Sequence, residues 1–139
     1  MSTRTLPLPG QSLPRMRLLL VDDMPQVRHD LRQLLELTGL FEIVAETGDG
    51  LEAVRLAGEL CPQAILMDLE MPGMDGYECT RRIRALKPDS RVIILSVHAG
   101  YEEQERARMA GANGFVIKGA SYEVLVNAIL GRNDPNNSL

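Results

Sequence analysis

The chain has 139 residues, 45% hydrophobic and 24% charged, with a formal net charge of −4. That is one ordinary domain, able to bury about two-thirds of its unfolded surface without a disulfide or metal staple. Its acidic balance and lack of a basic stretch argue against direct nucleic-acid binding, and its apolar runs are too short for a membrane span or an export signal.

Residues 1–15 carry three prolines, a glycine and no periodicity, and read as a flexible tail. Arg17 to Val21 is a short apolar run of buried-strand type. Val27, Leu31, Leu34 and Leu35 then recur at helical spacing, with Pro25 at the start and Gly39 at the end. Phe41 to Ala45 is a second strand, and Leu51 to Leu60 a second helix. Ala64 to Met67 is a third strand, and the loop DLEMPGMDG leads to a helix over Tyr77 to Leu86. Arg91 to Leu95 is a fourth strand. Tyr101 to Ala110 is a helix with glutamates early and arginines late, as the helix dipole favours. Gly114 to Ile117 is a fifth strand, and Ser121 caps a last helix, Tyr122 to Leu130, which Gly131 can close. Residues 131–139 read as a tail or the start of a linker. The two cysteines, Cys61 and Cys79, form neither a disulfide framework nor a zinc site. They read as small buried apolar residues in a reducing, cytoplasmic compartment.

Five buried strands alternating with five helices, joined by connections too long for hairpins, imply an α/β fold with a parallel sheet covered on both faces. Right-handed crossovers then place every strand-to-helix loop at one edge, where such folds bind ligands. Asp22 and Asp23 follow the first strand, Asp68 the third, Ser96 the fourth and Lys118 the fifth. Three carboxylates in one cleft repel one another unless a cation intervenes, and a hard, oxygen-preferring ion such as Mg²⁺ suits them. A divalent cation, a lysine and a hydroxyl together suit a phosphoryl group. No glycine-rich cradle accompanies them, which disfavours a nucleotide, whereas an aspartate can itself accept phosphate as a nucleophile.

The set LLLVDD (18–23), ILMDLEMPGMDG (65–76), VIILS (92–96) and AGANGFVIKGAS (110–121) resembles the receiver domain of two-component response regulators over about residues 16–130. The GFVIKGAS ending is similar to receivers that precede a LuxR-type helix-turn-helix domain, although no such domain is present in these residues. The resemblance implies a doubly wound, flavodoxin-like sheet of order 2-1-3-4-5. It implies a phosphorylation-activated switch rather than an enzyme. Asp68 is then the phosphoacceptor, and Asp23, Asp68 and the Glu70 backbone carbonyl are ligands of Mg²⁺, or of Mn²⁺ in its place. Asp22 reaches the metal largely through water. Lys118 pairs with Asp68 at rest and with the phosphoryl oxygens afterwards, Ser96 hydrogen-bonds a phosphoryl oxygen, and Phe115 is the switch aromatic. Glu70 and His98 occupy the positions that tune dephosphorylation.

The implied partners are a sensor histidine kinase and, on phosphorylation, a second copy of the chain. The implied output is a changed face of helix four, strand five and helix five, controlling transcription through a DNA-binding domain. The C-terminal residues fit such a longer regulator or a stand-alone receiver, and the subfamily resemblance favours the former. Two departures stand out. Gly119 takes the place of a proline often found after the lysine, and Phe115 lacks the hydroxyl of the commoner tyrosine. Two other classes compete with the switch. A Mg²⁺-dependent phosphohydrolase of the haloacid dehalogenase type requires an Asp-x-Asp strand end and a cap segment, and neither is seen. A receiver-fold interaction scaffold without phosphorylation has no need of the intact acidic pair, acceptor, hydroxyl and lysine. His29 reads as a plain helix residue, and Met67, Met71 and Met74 as packing.

Overall fold

A computed structural model of the chain describes residues 14–132. Residues 1–13 and 133–139, the greater part of both expected tails, lie outside the described residues. The elements run β1 (Met16–Val21), α1 (Pro25–Leu37), β2 (Phe41–Thr47), α2 (Gly50–Leu60), β3 (Ala64–Asp68), α3 (Gly76–Leu86), β4 (Arg91–Ser96), α4 (Tyr101–Ala110), β5 (Gly114–Ile117) and α5 (Tyr122–Leu130). All strand pairs are parallel, in the order β2-β1-β3-β4-β5. The expected doubly wound, flavodoxin-like fold is therefore present.

Alternation along the strands builds a core on each face of the sheet. Leu19 and Val21 of β1, with Ile65 and Met67 of β3, pack among Ala53 and Ala57 of α2, Cys79 and Ile83 of α3, and Ala107 of α4. Leu18 and Leu20, with Leu66 and Ile93, pack on the other face among Leu35 of α1 and Leu125 and Ile129 of α5. The small alanines of α2 and α4 let those helices approach the sheet closely.

The helix ends follow local chemistry. Pro25 starts α1, Asp49 accepts the Leu51 N–H to start α2, and Asp75 accepts the Glu78 N–H to start α3. Ser121 caps α5 through the Val124 N–H, and Gly131 closes that helix in the left-handed region. Among the described residues no helix is long and apolar enough to cross a membrane.

Two expectations need correction. Asp68 and Ser96 do not follow their strands but end them, because backbone pairing continues through Asp68↔Leu95 and Ser96↔Ile117. Cys61 is exposed rather than buried. It closes α2 in the left-handed conformation, φ 48°, donating its N–H to Ala57, and that geometry turns it off the packed face. Cys79 is buried as expected, and burial pushes its thiol up to about 12, so it stays protonated.

Candidate functional site

The order reverses between β1 and β3, so their following loops diverge and leave a crevice beyond the carboxyl ends of the strands. Val21 and Met67 are the last paired residues across that seam, which brings Asp22, Asp23 and Asp68 to its rim. One carboxylate oxygen of each lies within 4.8 Å of the others. Asp22 and Asp68 are buried, and Asp23 is half-buried. Asp22 Oδ1 accepts the Met24 N–H at 2.9 Å, while its Oδ2 is buried with no hydrogen-bond donor in good geometry. Asp68 Oδ1 accepts the Glu70 N–H at 3.3 Å.

β5 delivers Lys118 from the far side. Its ammonium lies 3.2 Å from Asp68 Oδ1 and 3.4 Å from Asp22 Oδ2. The Lys118 N–H donates to the Ser96 carbonyl at 2.7 Å, so β4 and β5 stay in register up to the site. Burial, and then the Asp22 charge, hold Asp68 above the usual carboxylate range, against the pull of the Glu70 N–H and Lys118. Burial alone would lower the Lys118 ammonium, but its contacts with Asp68 and Asp22 outweigh that and hold it above its ordinary value. One lysine thus faces two buried carboxylates and a third beside them. The oxygen-only donor set, its surplus negative charge and an Asp22 Oδ2 that has no hydrogen bond in good geometry fit a hard divalent cation.

Ser96 is buried at the end of β4, its Oγ accepting the His98 N–H at 3.1 Å. Glu70 and His98 lie on the exposed rim, with His98 Nε2 3.6 Å from Glu70 Oε1. Phe115 is buried among Ile94, Ala107 and Tyr77, on the face covered by α3 and α4. Tyr77 holds α4 by donating its hydroxyl to the Glu103 carbonyl and by lying under the Arg106 guanidinium, 4.1 Å from the ring centre. Gly119 takes φ 96°, a conformation closed to the proline it replaces, and no peptide among the described residues is cis.

Sequence reasoning missed three residues that shape the site. Gly76 is one, because a Cβ there would be driven into the Asp68 carbonyl oxygen and within 2.7 Å of Leu69 Cα. Gly48 is another, backing within 2.9 Å of Asp23 Cα when a Cβ is placed on it. The third is Arg28, which donates from Nη1 to the Asp22 carbonyl at 2.6 Å. All three act on backbone atoms, so residue spacing alone carries no signal for them. The sequence placed Gly76 only as the last residue of the loop DLEMPGMDG.

Comparison with known proteins bears on the family and the fold. Residues 18–130 match the family model of the response regulator receiver domain. The chain is 40% identical over 113 residues to the nitrate/nitrite response regulator protein NarP of Escherichia coli K12, covering 81% of this chain and 53% of that protein. It is 39% identical over 113 residues to the transcriptional regulatory protein LiaR of Bacillus subtilis 168, covering 81% and 54%. The crystal structure of a LuxR-family two-component response regulator from Aurantimonas sp. SI85-9A1 superposes with a TM-score of 0.82 at 38% identity. It covers 88% of this chain and 91% of that one. The chain spans about half the length of the curated relatives it matches.

Proposed function

The chain belongs to the response regulator receiver domain family, and from that premise we propose that it is a phosphorylation-activated switch with Asp68 as the acceptor. Receiver domains are signalling switches of two-component systems in bacteria, partners of sensor histidine kinases, and they generally bind Mg²⁺ at an acidic pocket. The observation that carries the reading here is the imbalance at the crevice: two buried carboxylates, Asp22 and Asp68, share one lysine. A merely structural cluster would be costly, because buried charge without full pairing destabilises the fold.

In this mechanism an Asp68 carboxylate oxygen attacks phosphorus of a kinase phosphohistidine, and the nitrogen–phosphorus bond breaks as the oxygen–phosphorus bond forms. Asp23, Asp68 and the Glu70 carbonyl would hold Mg²⁺ or Mn²⁺, with Asp22 reaching it largely through water, and the ion would supply charge neutralisation for the transferring group. Lys118 leaves its resting contact with Asp68 for a phosphoryl oxygen, and Ser96 donates its hydroxyl to another. The product carries about two negative charges beside Lys118, about one more than the carboxylate it replaces. Drawing Ser96 inward lets the Phe115 ring follow and repacks the face of α4, β5 and α5, a population shift between two arrangements. That face supports dimerisation with a second copy and control of transcription through a DNA-binding domain, and the setting is the bacterial cytoplasm. Water attack on the phospho-aspartate resets the switch.

The test is intact-protein mass after incubation with acetyl phosphate and Mg²⁺. A single phosphoryl adduct is expected, lost in Asp68→Asn and in the presence of a chelator. An adduct that persists at full yield in Asp68→Asn overturns the assignment.

A further inference from the structure

We propose that Arg28 positions the acidic turn for the divalent cation, acting on Asp23 through the backbone. The inference rests on the switch reading above and adds to it a residue outside the acceptor, hydroxyl and lysine set. Arg28 lies on the first turn of α1, with its guanidinium turned back under the β1–α1 loop. Its Nη1 donates to the Asp22 carbonyl oxygen at 2.6 Å. That oxygen belongs to the peptide joining Asp22 to Asp23. Because the peptide is planar, holding its oxygen sets the plane in which the Asp23 N and Cα lie and so limits where its side chain can aim.

Two further contacts close the same clamp. The Asp22 N–H donates to the Thr47 carbonyl at the end of β2, at 3.0 Å. Gly48 then backs onto Asp23 Cα so closely that a Cβ would sit 2.9 Å from it and 3.0 Å from Arg28 Nη1. The acidic turn is thus gripped from α1 on one side and from β2 on the other. Asp23 itself has no such anchor among its own side-chain hydrogen bonds, so its aim depends on this grip.

Charge alone would place no arginine here, since a cation beside a metal site opposes the metal. The arrangement reduces that penalty. Glu46 on β2 lies 3.8 Å from Arg28 Nε and 3.3 Å from Arg32 Nε, and so offsets part of the guanidinium charge. What remains for Arg28 is a well-aimed donor to one backbone oxygen.

Mg²⁺ titration of the unphosphorylated chain, followed by calorimetry and by amide NMR shifts, tests this with the wild type, Arg28→Met and Arg28→Lys. Methionine keeps the aliphatic stem and loses the donor, and lysine keeps both donor and charge. We expect Arg28→Met to weaken Mg²⁺ binding about tenfold and Arg28→Lys to recover to within about threefold of wild type, the range seen for groups that support metal ligands. At saturating Mg²⁺ the acetyl phosphate reaction of Arg28→Met returns to within about twofold of wild type, so the loss lies in metal affinity and not in the acceptor. A role in stability alone would shift the unfolding midpoint and leave the affinity of the folded chain unchanged. Equal or tighter Mg²⁺ binding by folded Arg28→Met overturns the proposal, the tighter result meaning that its charge outweighs its grip. Should that variant not fold, Arg28→Gln, with a shorter donor, replaces it under the same criterion. A wild type that binds no Mg²⁺ overturns the switch reading, and the Arg28 role with it. A wild type that binds, matched by Arg28→Met, overturns the Arg28 role alone.

Discussion

The two ends of the sheet are built on opposite terms. At the amino-terminal ends of the strands, most polar groups are matched, although Arg91 Nε is buried without a hydrogen-bond partner. Arg84, at the end of α3, donates to the carbonyls of Gly111, Pro88 and Ser90 and to the Asn113 side chain. Asn113 in turn accepts the Val92 N–H, Ser90 donates to the Pro62 carbonyl, and Arg91 donates to the Ala128 carbonyl at the end of α5. At the carboxyl ends the matching stops. Asp22 Oδ2 is buried with only the shared Lys118 ammonium near it, 3.4 Å away, and Asp68 is held above its usual range by burial and by Asp22. One end ties the loops down, while the other keeps surplus negative charge that a divalent cation would offset. On the proposed switch reading, stability and function are separable by position along the same five strands.

The sharpest way to break that separation is at Arg84. Arg84→Met removes a cation that serves several carbonyls at once, and hydrogen bonds to charged groups contribute about 1.5–3 kcal/mol each without adding fully, so a loss of about 3 kcal/mol is expected. Urea unfolding measures it. Mg²⁺ affinity and phosphorylation of the folded variant should stay at wild-type values, and a matching loss of either would show that the two ends are coupled.

Asp68→Asn tests the other end and should move stability the opposite way. It removes one of two buried carboxylates facing a single lysine, and a gain of about 1 kcal/mol at neutral pH without metal is expected, together with complete loss of the phosphoryl adduct. The sign follows from linkage. The Asp68 carboxyl is raised above its ordinary value of 3.8, so between that value and its folded value the folded chain holds more proton than the unfolded chain. Wild-type stability therefore falls as pH rises through that window, and the fall should be absent in Asp68→Asn. Unfolding midpoints across the acid range in chelator measure both, and added Mg²⁺ should restore the wild type.

The sequence makes these ends unequally legible. Strands and helices stand out because apolar runs and helical spacing survive in the residues themselves, and the site stands out because Asp22, Asp23, Asp68, Ser96 and Lys118 each fall at a strand end. Arg84 and Arg28 were invisible for one shared reason. Their partners are mainly backbone carbonyls, which every residue carries, so little in the pairing of residue types announces them. Cys61 misled because the left-handed turn that exposes it is set by how α2 ends and not by the thiol. The apolar stripe of α1 was also only partly informative. Leu35 is buried, whereas Leu34 is exposed and Leu37 is 84% exposed, because α1 packs over one edge of the sheet next to the outermost strand.

The smallest expected effect lies on the rim, and there the comparison is finest. Glu70 and His98 are 60% and 70% exposed and 3.6 Å apart, a geometry whose contribution to stability is about 0–1 kcal/mol in either charge state. Glu70→Ala and His98→Ala should each leave the unfolding midpoint nearly unchanged. Yet both stand two residues beyond the buried groups that would flank the phosphoryl, where a carboxylate can accept a proton from an approaching water. Losing it should lengthen the phosphoryl lifetime by about threefold, at the low end of general-base effects because the group is solvated. If the imidazole acts by holding that carboxylate, the double variant should live no longer than Glu70→Ala, the non-additivity expected of a pair in contact. Adduct decay followed by intact mass decides it. Additive lifetimes would mean that the two rim residues meet water separately, and an unchanged lifetime would confine the control of hydrolysis to the buried carboxylates, lysine and hydroxyl below them.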